Sequence, residues 1–150
     1  MSLDELLRNR IIQRIKPDKK LAKRNLKIAS RDLTAAKHLL SQENYDWALS
    51  IAYNAMLQAG RALMFLEGYR PSTQFGHIAV IRYVRAAFRE QITERIIDVF
   101  DQMRRKRHRA VYEAVDIVSR SEAENATRWA HEFVNKAKEI VSRQGNREYC

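Results

Sequence analysis

From Tyr45 to Glu67 the chain reads YDWALSIAYNAMLQAGRALMFLE, and this stretch decides the fold. Ala48, Ala52, Ala55, Ala59, Ala62 and Leu66 recur at spacings of three and four, so one helix face is lined almost wholly by small side chains. Trp47, Leu49, Tyr53, Met56, Leu57 and Met64 cover most of the remainder. Only Ser50, Asn54, Gln58 and Arg61 are polar, and they line up as one narrow stripe. A helix apolar almost all round must be enclosed by other elements, and its small face lets a neighbour approach closely. Gly68 stands where a C-cap is needed. The pattern predicts a central helix over 45–67.

Working outward, Leu26, Ala29, Leu33, Ala36 and Leu40 give a second apolar stripe, predicting a helix over about 18–42. Gln42-Glu43-Asn44 form the turn between the two helices, with Asn44 as N-cap. Ser2-Leu3-Asp4-Glu5 fits a capping box for a loosely attached first helix over 3–15, ended by Pro17. Tyr69 to Gly76 read as the one long loop, followed by a helix over about 77–89. A fifth helix is expected over 93–119. Ser121 and Glu124 suggest a capping box for a sixth over 122–142, with Trp129, Phe133, Ala137 and Ile140 on its stripe. The expected fold is all-α, an antiparallel up-and-down bundle of five to six helices. The expected division is an N-terminal helical extension (1–17), the bundle (18–144) and a frayed tail (145–150).

At 150 residues the chain fits one domain with a substantial core. The start, Met1-Ser2-Leu3-Asp4-Glu5, lacks the basic and apolar regions of a signal peptide, and no stretch is long and apolar enough for a bilayer. The single cysteine, Cys150, gives no internal disulfide framework. A cytoplasmic location is expected. The net charge of +10, from 28 Lys+Arg against 18 Asp+Glu, points to a polyanionic partner. Much of it is clustered, at Lys16, Lys19, Lys20, Lys23 and Arg24 and again at 104–109.

The second cluster, Arg104-Arg105-Lys106-Arg107-His108-Arg109, is the candidate site. Ile96, Phe100, Met103, Arg107, Ala110, Ala114 and Ile117 fall on one helical stripe, which puts a guanidinium on an otherwise apolar face. A charge there must be paired or line a wet cleft. Arg105 and Arg109 phase outward. Arg104, His108 and Tyr112 share the adjoining flank at spacings of four. Arginine can hold phosphate bidentately, and histidine can exchange a proton near neutral pH. No glycine-rich phosphate loop is present, and His38, His77, His108 and His131 are scattered, so neither cofactor nor metal is expected. His77, opening the fourth helix, reads as a cap or loop anchor.

Three stretches resemble the HEPN family. They are Asp32–Lys37 through Asn44–Ala48, Ala52–Leu63 continuing to Gly68-Tyr69-Arg70-Pro71, and Met103–Tyr112. The likeness covers roughly residues 20–142. It implies a helical bundle that commonly dimerises and is often encoded beside a small nucleotidyltransferase, which acts as its antitoxin or partner. Active members are metal-independent ribonucleases, whose signature is an arginine, a polar residue and a histidine four to six positions beyond the arginine. Arg107 and His108 match its first two positions, but Tyr112 stands where the histidine is expected, with Glu113 and Ala114 at the longer spacings.

The leading expectation is a homodimeric RNA- or nucleotide-binding partner of a nucleotidyltransferase in a toxin–antitoxin-like module, with an eroded ribonuclease motif. Arg104, Arg107, Asn54 and Arg61 would contact phosphate. The alternatives are an active endoribonuclease using Arg107 and His108 with Tyr112 at the site, and a scaffold in which Arg107 pairs with Asp32, Asp46 or Glu67.

Overall fold

Helix α3 (Tyr45–Glu67) runs through the middle of the computed structural model, which describes residues 1–147 and side chains through Gln144. Ala48, Ala52, Ala55, Ala59 and Ala62 are fully buried, as are Tyr53, Met56, Leu63 and Met64. Helices α2 (Lys19–Ser41), α4 (Gly76–Ala87), α5 (Glu94–Tyr112) and α6 (Arg120–Arg147) all pack on it, and α2 also packs on α6. The small face works as its composition implies. Gly60 lies against Val80 and Val84 of α4 and Phe100 of α5.

The helix ends follow their local chemistry. The Asp18 carboxylate accepts from the Leu21 amide at the start of α2, and Thr93 caps α5 through the Ile96 amide. Gly68 ends α3 in the left-handed region at φ 92°, where an added Cβ would meet the Ile15 carbonyl oxygen at 2.9 Å. Asn44 occupies the N-cap position of α3, but its side chain makes no capping hydrogen bond. The residues at this turn instead use backbone bonds to Leu39 and Leu40.

Three boundaries differ from the sequence expectation. The first helix is α1 (Leu3–Arg8) and does not reach residue 15. Arg10 takes φ 57°, and the chain turns into strand β1 (Ile12–Arg14), which pairs antiparallel with β2 (Tyr69–Pro71) in the supposed loop. Leu6, Ile11 and Ile12 are buried, so this segment is packed into the core rather than loosely attached. Two adjacent buried isoleucines suit a strand, and pairing with a distant segment overrides the local pattern.

Helix α5 ends at Tyr112, not near 119. Asp116 takes φ 57°, and the Asp46 carboxylate accepts from the Asp116 and Val118 amides at 2.7 and 3.1 Å. Ala114 and Ile117 therefore leave the helical stripe. The capping box of α6 is Ser119 with Glu122, each side chain accepting from the other's amide at 3.1 Å, two residues earlier than expected. The backbone of α6 is helical through Arg147, and the rest of the expected tail, with Cys150, lies outside the described residues.

Gly60→Ala tests how tightly α3 is enclosed. Alanine favours a helix interior by about 1 kcal/mol. Here its Cβ would overlap the buried Val80 side chain, and overpacking costs about 1–3 kcal/mol. A lower melting temperature is expected; a higher one would show that Val80 has room to move.

Candidate functional site

A cleft of about 400 Å³ opens between the Thr73–Ile78 segment, which leads into α4, and the α5 side chains Arg104, Arg107 and His108. Behind it stands Tyr53, placed by α3 and fully buried. Its hydroxyl lies 3.0 Å from His77 Nδ1. The Arg107 guanidinium carbon lies 5.7 Å from the Tyr53 ring centroid, within cation–π reach, and Phe100 closes the inner side at 5.7 Å. Arg61, two turns beyond Tyr53 on α3, is half-buried, and its charge acts on both Tyr53 and His77.

The arginines differ in what neutralises them. Arg104 is held by Asp101 at 3.0 Å, and Arg105 reaches the other oxygen of that carboxylate at 2.9 Å. Lys106 pairs with Glu122, and Arg109 reaches Glu113. Among the described residues no carboxylate lies within ion-pair distance of Arg107 or Arg61. Burial lowers the pKa of Arg61, opposed by the nearby Tyr53. The acids expected as scaffold partners are engaged elsewhere or make no ion pair. Asp46 holds the 116–118 loop, Asp32 bonds Asn54 and Arg31, and burial raises the pKa of Glu67.

The proton positions in this pair follow from the surroundings. Burial pushes the Tyr53 phenol well above its ordinary range, despite the nearby arginines, so it keeps its proton. Burial first, then Arg107, Arg61 and Arg104, depress the His77 pKa, so the ring is neutral at pH 7. The Tyr53 hydroxyl has no other side-chain partner among the described residues. If the neutral ring carries its proton on Nε2, the Tyr53 O–H donates to Nδ1 and is thereby satisfied.

The sequence-derived candidates separate. Arg104, Arg107 and His108 line the cleft, with His108 exposed at its rim, while Arg61 is not in the lining and reaches the site through its charge on Tyr53 and His77. Asn54 lies on another side of α3, where its amide donates to Asp32 at 2.8 Å. Tyr112 is 67% exposed at the end of α5, with its ring 4.9 Å from His108. Sequence reasoning missed Tyr53 and His77 as a pair. Their junction is tertiary, 24 residues apart, and the one hint was an arginine eight residues past a tyrosine on a nearly apolar helix. No group of three or more metal-ligating side chains occurs among the described residues, and no described helix is long and apolar enough to cross a membrane.

Comparison with known proteins places these features. The HEPN domain family model matches residues 22–140. A protein of Methanocaldococcus jannaschii, named "Putative toxin MJ0142", is 25% identical over 115 residues, covering 75% of this chain and 76% of its own. The crystal structure of TT1696 from Thermus thermophilus superposes with a TM-score of 0.65 at 20% identity, covering 79% of this chain and 96% of its own. That likeness concerns the fold.

The depressed His77 pKa has a consequence for stability. As pH falls below the ordinary value of 6.5, the unfolded chain takes up this proton before the folded one does. The stability present above that pH is lost progressively until the folded ring is also protonated. Melting temperatures of the parent and His77→Gln between pH 8 and 5 should therefore diverge in shape, with the parent falling more steeply below about pH 6.5. Parallel curves would show that His77 is not depressed.

Proposed function

Because the chain belongs to the HEPN domain family, we propose that it is the RNA- or nucleotide-binding component of a toxin–antitoxin-like module, holding phosphate in the cleft between the Thr73–Ile78 segment and α5. One observation carries the reading. The charges of Arg61, Arg104 and Arg107 all act on one neutral imidazole, His77, and among the described residues no carboxylate lies within ion-pair distance of Arg61 or Arg107. Like charges brought together raise one another's energy, and an entering anion reverses that sign. Guanidinium forks suit phosphate oxygens. A neutral imidazole beside them can add an N–H donor without adding another positive charge.

The family resemblance supports a small nucleotidyltransferase as partner and a second copy of this chain as the other half of a dimer. The surface supports an interface as well. Trp47, Val111, Tyr112 and Val115 are large, apolar and exposed, and Asp46 holds the 116–118 loop against the start of α3 at that end. Val115, 82% exposed, costs nothing to expose further. A Val115→Asp variant should fold normally yet sediment as a monomer. A parent that is itself monomeric at micromolar concentration would remove the dimer.

A second reading, a metal-independent endoribonuclease, is favoured by one observation: His108 shares the cleft with Arg107 and is open to solvent. That reading expects RNA cleavage in EDTA, lost in His108→Ala. The binding reading expects none.

Phosphate binding is tested with a short single-stranded RNA at low salt, where phosphate contacts are strongest. A charged hydrogen bond contributes about 1.5–3 kcal/mol, so Arg107→Ala should weaken binding by about 10- to 100-fold. Because no carboxylate depends on Arg107, its melting temperature should stay within about 5 °C of the parent. Unchanged affinity would remove the cleft as the site, and a collapse in stability would favour the scaffold.

A further inference from the structure

Helix α2 carries a second concentration of charge that the cleft does not use. Its 23 residues hold seven lysines and arginines and a single acid, Asp32, which is buried. At 100° per residue, Lys20, Lys23, Arg24, Lys27 and Arg31 fall within an arc of about 100° and along about 16 Å of helix axis. All five are exposed. The opposite face, with Ala22, Leu26, Ala29, Leu33 and Ala36, is buried against the bundle. Arg31 reaches Asp32 at 3.3 Å, and among the described residues the other four have no carboxylate within ion-pair distance. A shallow concavity of about 500 Å³ lies along them. Its one acid, Asp18, is occupied as the α2 N-cap.

We propose that this outward stripe of α2 is a binding track for the phosphate backbone of a nucleic-acid duplex, read without regard to base sequence; that the duplex is RNA rests on the proposed function above. The occupant follows from the side chains present and absent. Cations repeating every three or four residues on a straight, rigid helix complement a regular line of phosphates. Single-stranded nucleic acid is held by aromatic platforms as well as by charge, and α2 contains no Phe, Tyr or Trp. A helix that enters a membrane surface needs a free apolar face, and the apolar face of α2 is already spent on the core. The stripe stands apart from the cleft, because α2 packs on α3 and α6 whereas the cleft is walled by the loop before α4 and by α5.

The experiment uses the full chain and two mixed-sequence RNA duplexes of 20 base pairs, unrelated in sequence, with affinity measured across a salt series. The variant combines Lys20→Ala, Lys23→Ala and Lys27→Ala. All three sites are exposed and alanine is the strongest helix former, so the parent's helical circular dichroism should persist. The expected result is a loss of about tenfold or more at low salt on both duplexes, with the slope of log affinity against log salt shallower by about 2–3. Arg107→Ala should change that slope by no more than about 1, which separates this surface from the cleft. A triple variant that binds duplex RNA like the parent would overturn the track. So would a loss seen only on phosphatidylserine vesicles, which would make the stripe a membrane surface instead.

Discussion

The near-complete enclosure of α3 is the constraint from which the rest of the structure follows. A helix covered on most sides leaves its polar side chains little access to water, so those facing neighbouring helices must be met inside the protein. Ser50 donates to the Asp46 carbonyl at 2.8 Å. Asn54 donates to the buried Asp32 carboxylate, and Gln58 accepts from Asn25 at 2.8 Å, so both bind α3 to α2. Tyr53 reaches across to His77 and fixes the start of α4. The Arg61 side chain makes no hydrogen bond or ion pair among the described residues, and its charge acts on the Tyr53–His77 pair. The polar stripe that looked like one surface in the sequence is thus divided between core satisfaction and an open site.

The same enclosure pushes the charge excess outward, onto the helices that surround α3. Seven cations face one acid on α2, and six face three on α5. Most of the net charge of +10 therefore rests on two helices. On α5 much of it is answered locally. Asp101 holds two arginines, and Glu122 at the α6 capping box takes Lys106. The Lys106 contact, with the Ser119 bonds, pulls the Glu122 pKa down against the effect of its own desolvation. Such pairs at a solvent-accessible surface contribute about 0–1 kcal/mol each. Their larger effect is selective: among the described residues they leave Arg107 as the cation of the run without an acid within ion-pair distance.

The parts of the fold that were legible in the sequence are those set by local periodicity. The limits of α3, the burial of its alanine face and the helical character of the bundle follow from spacing alone. What escaped depends on contacts between distant segments. Nothing local announces that Ile12 lies opposite Pro71, or that Asp46 will draw in the amides of 116 and 118 and so end α5 early. The Ser119 box was displaced for a related reason. Ser119-x-x-Glu122 and Ser121-x-x-Glu124 are equally good patterns, and the choice falls to where the loop is already anchored. At the site, helical phasing found the arginines on α5, while the tyrosine and histidine that complete it needed the tertiary fold.

That early end of α5 bears on how the family signature sits here. Arg107 is built into the cleft wall, facing the Tyr53 ring. Position 112, where the signature's histidine is expected, is the last residue of the helix and lies outside the cleft lining, against His108 and open to solvent. A histidine placed there would not meet Tyr53 or His77 within the same chain. It would stand beside Val111 and Val115, on the apolar end that also presents Trp47. The two halves of the signature therefore address different surroundings: the arginine faces the chain's own cleft, and the second position faces whatever covers that end. If a second copy covers it, as the dimer reading holds, Tyr112 belongs to a shared surface, and a tyrosine in place of the signature's histidine alters the joint between subunits while leaving Arg104 and Arg107 in the cleft.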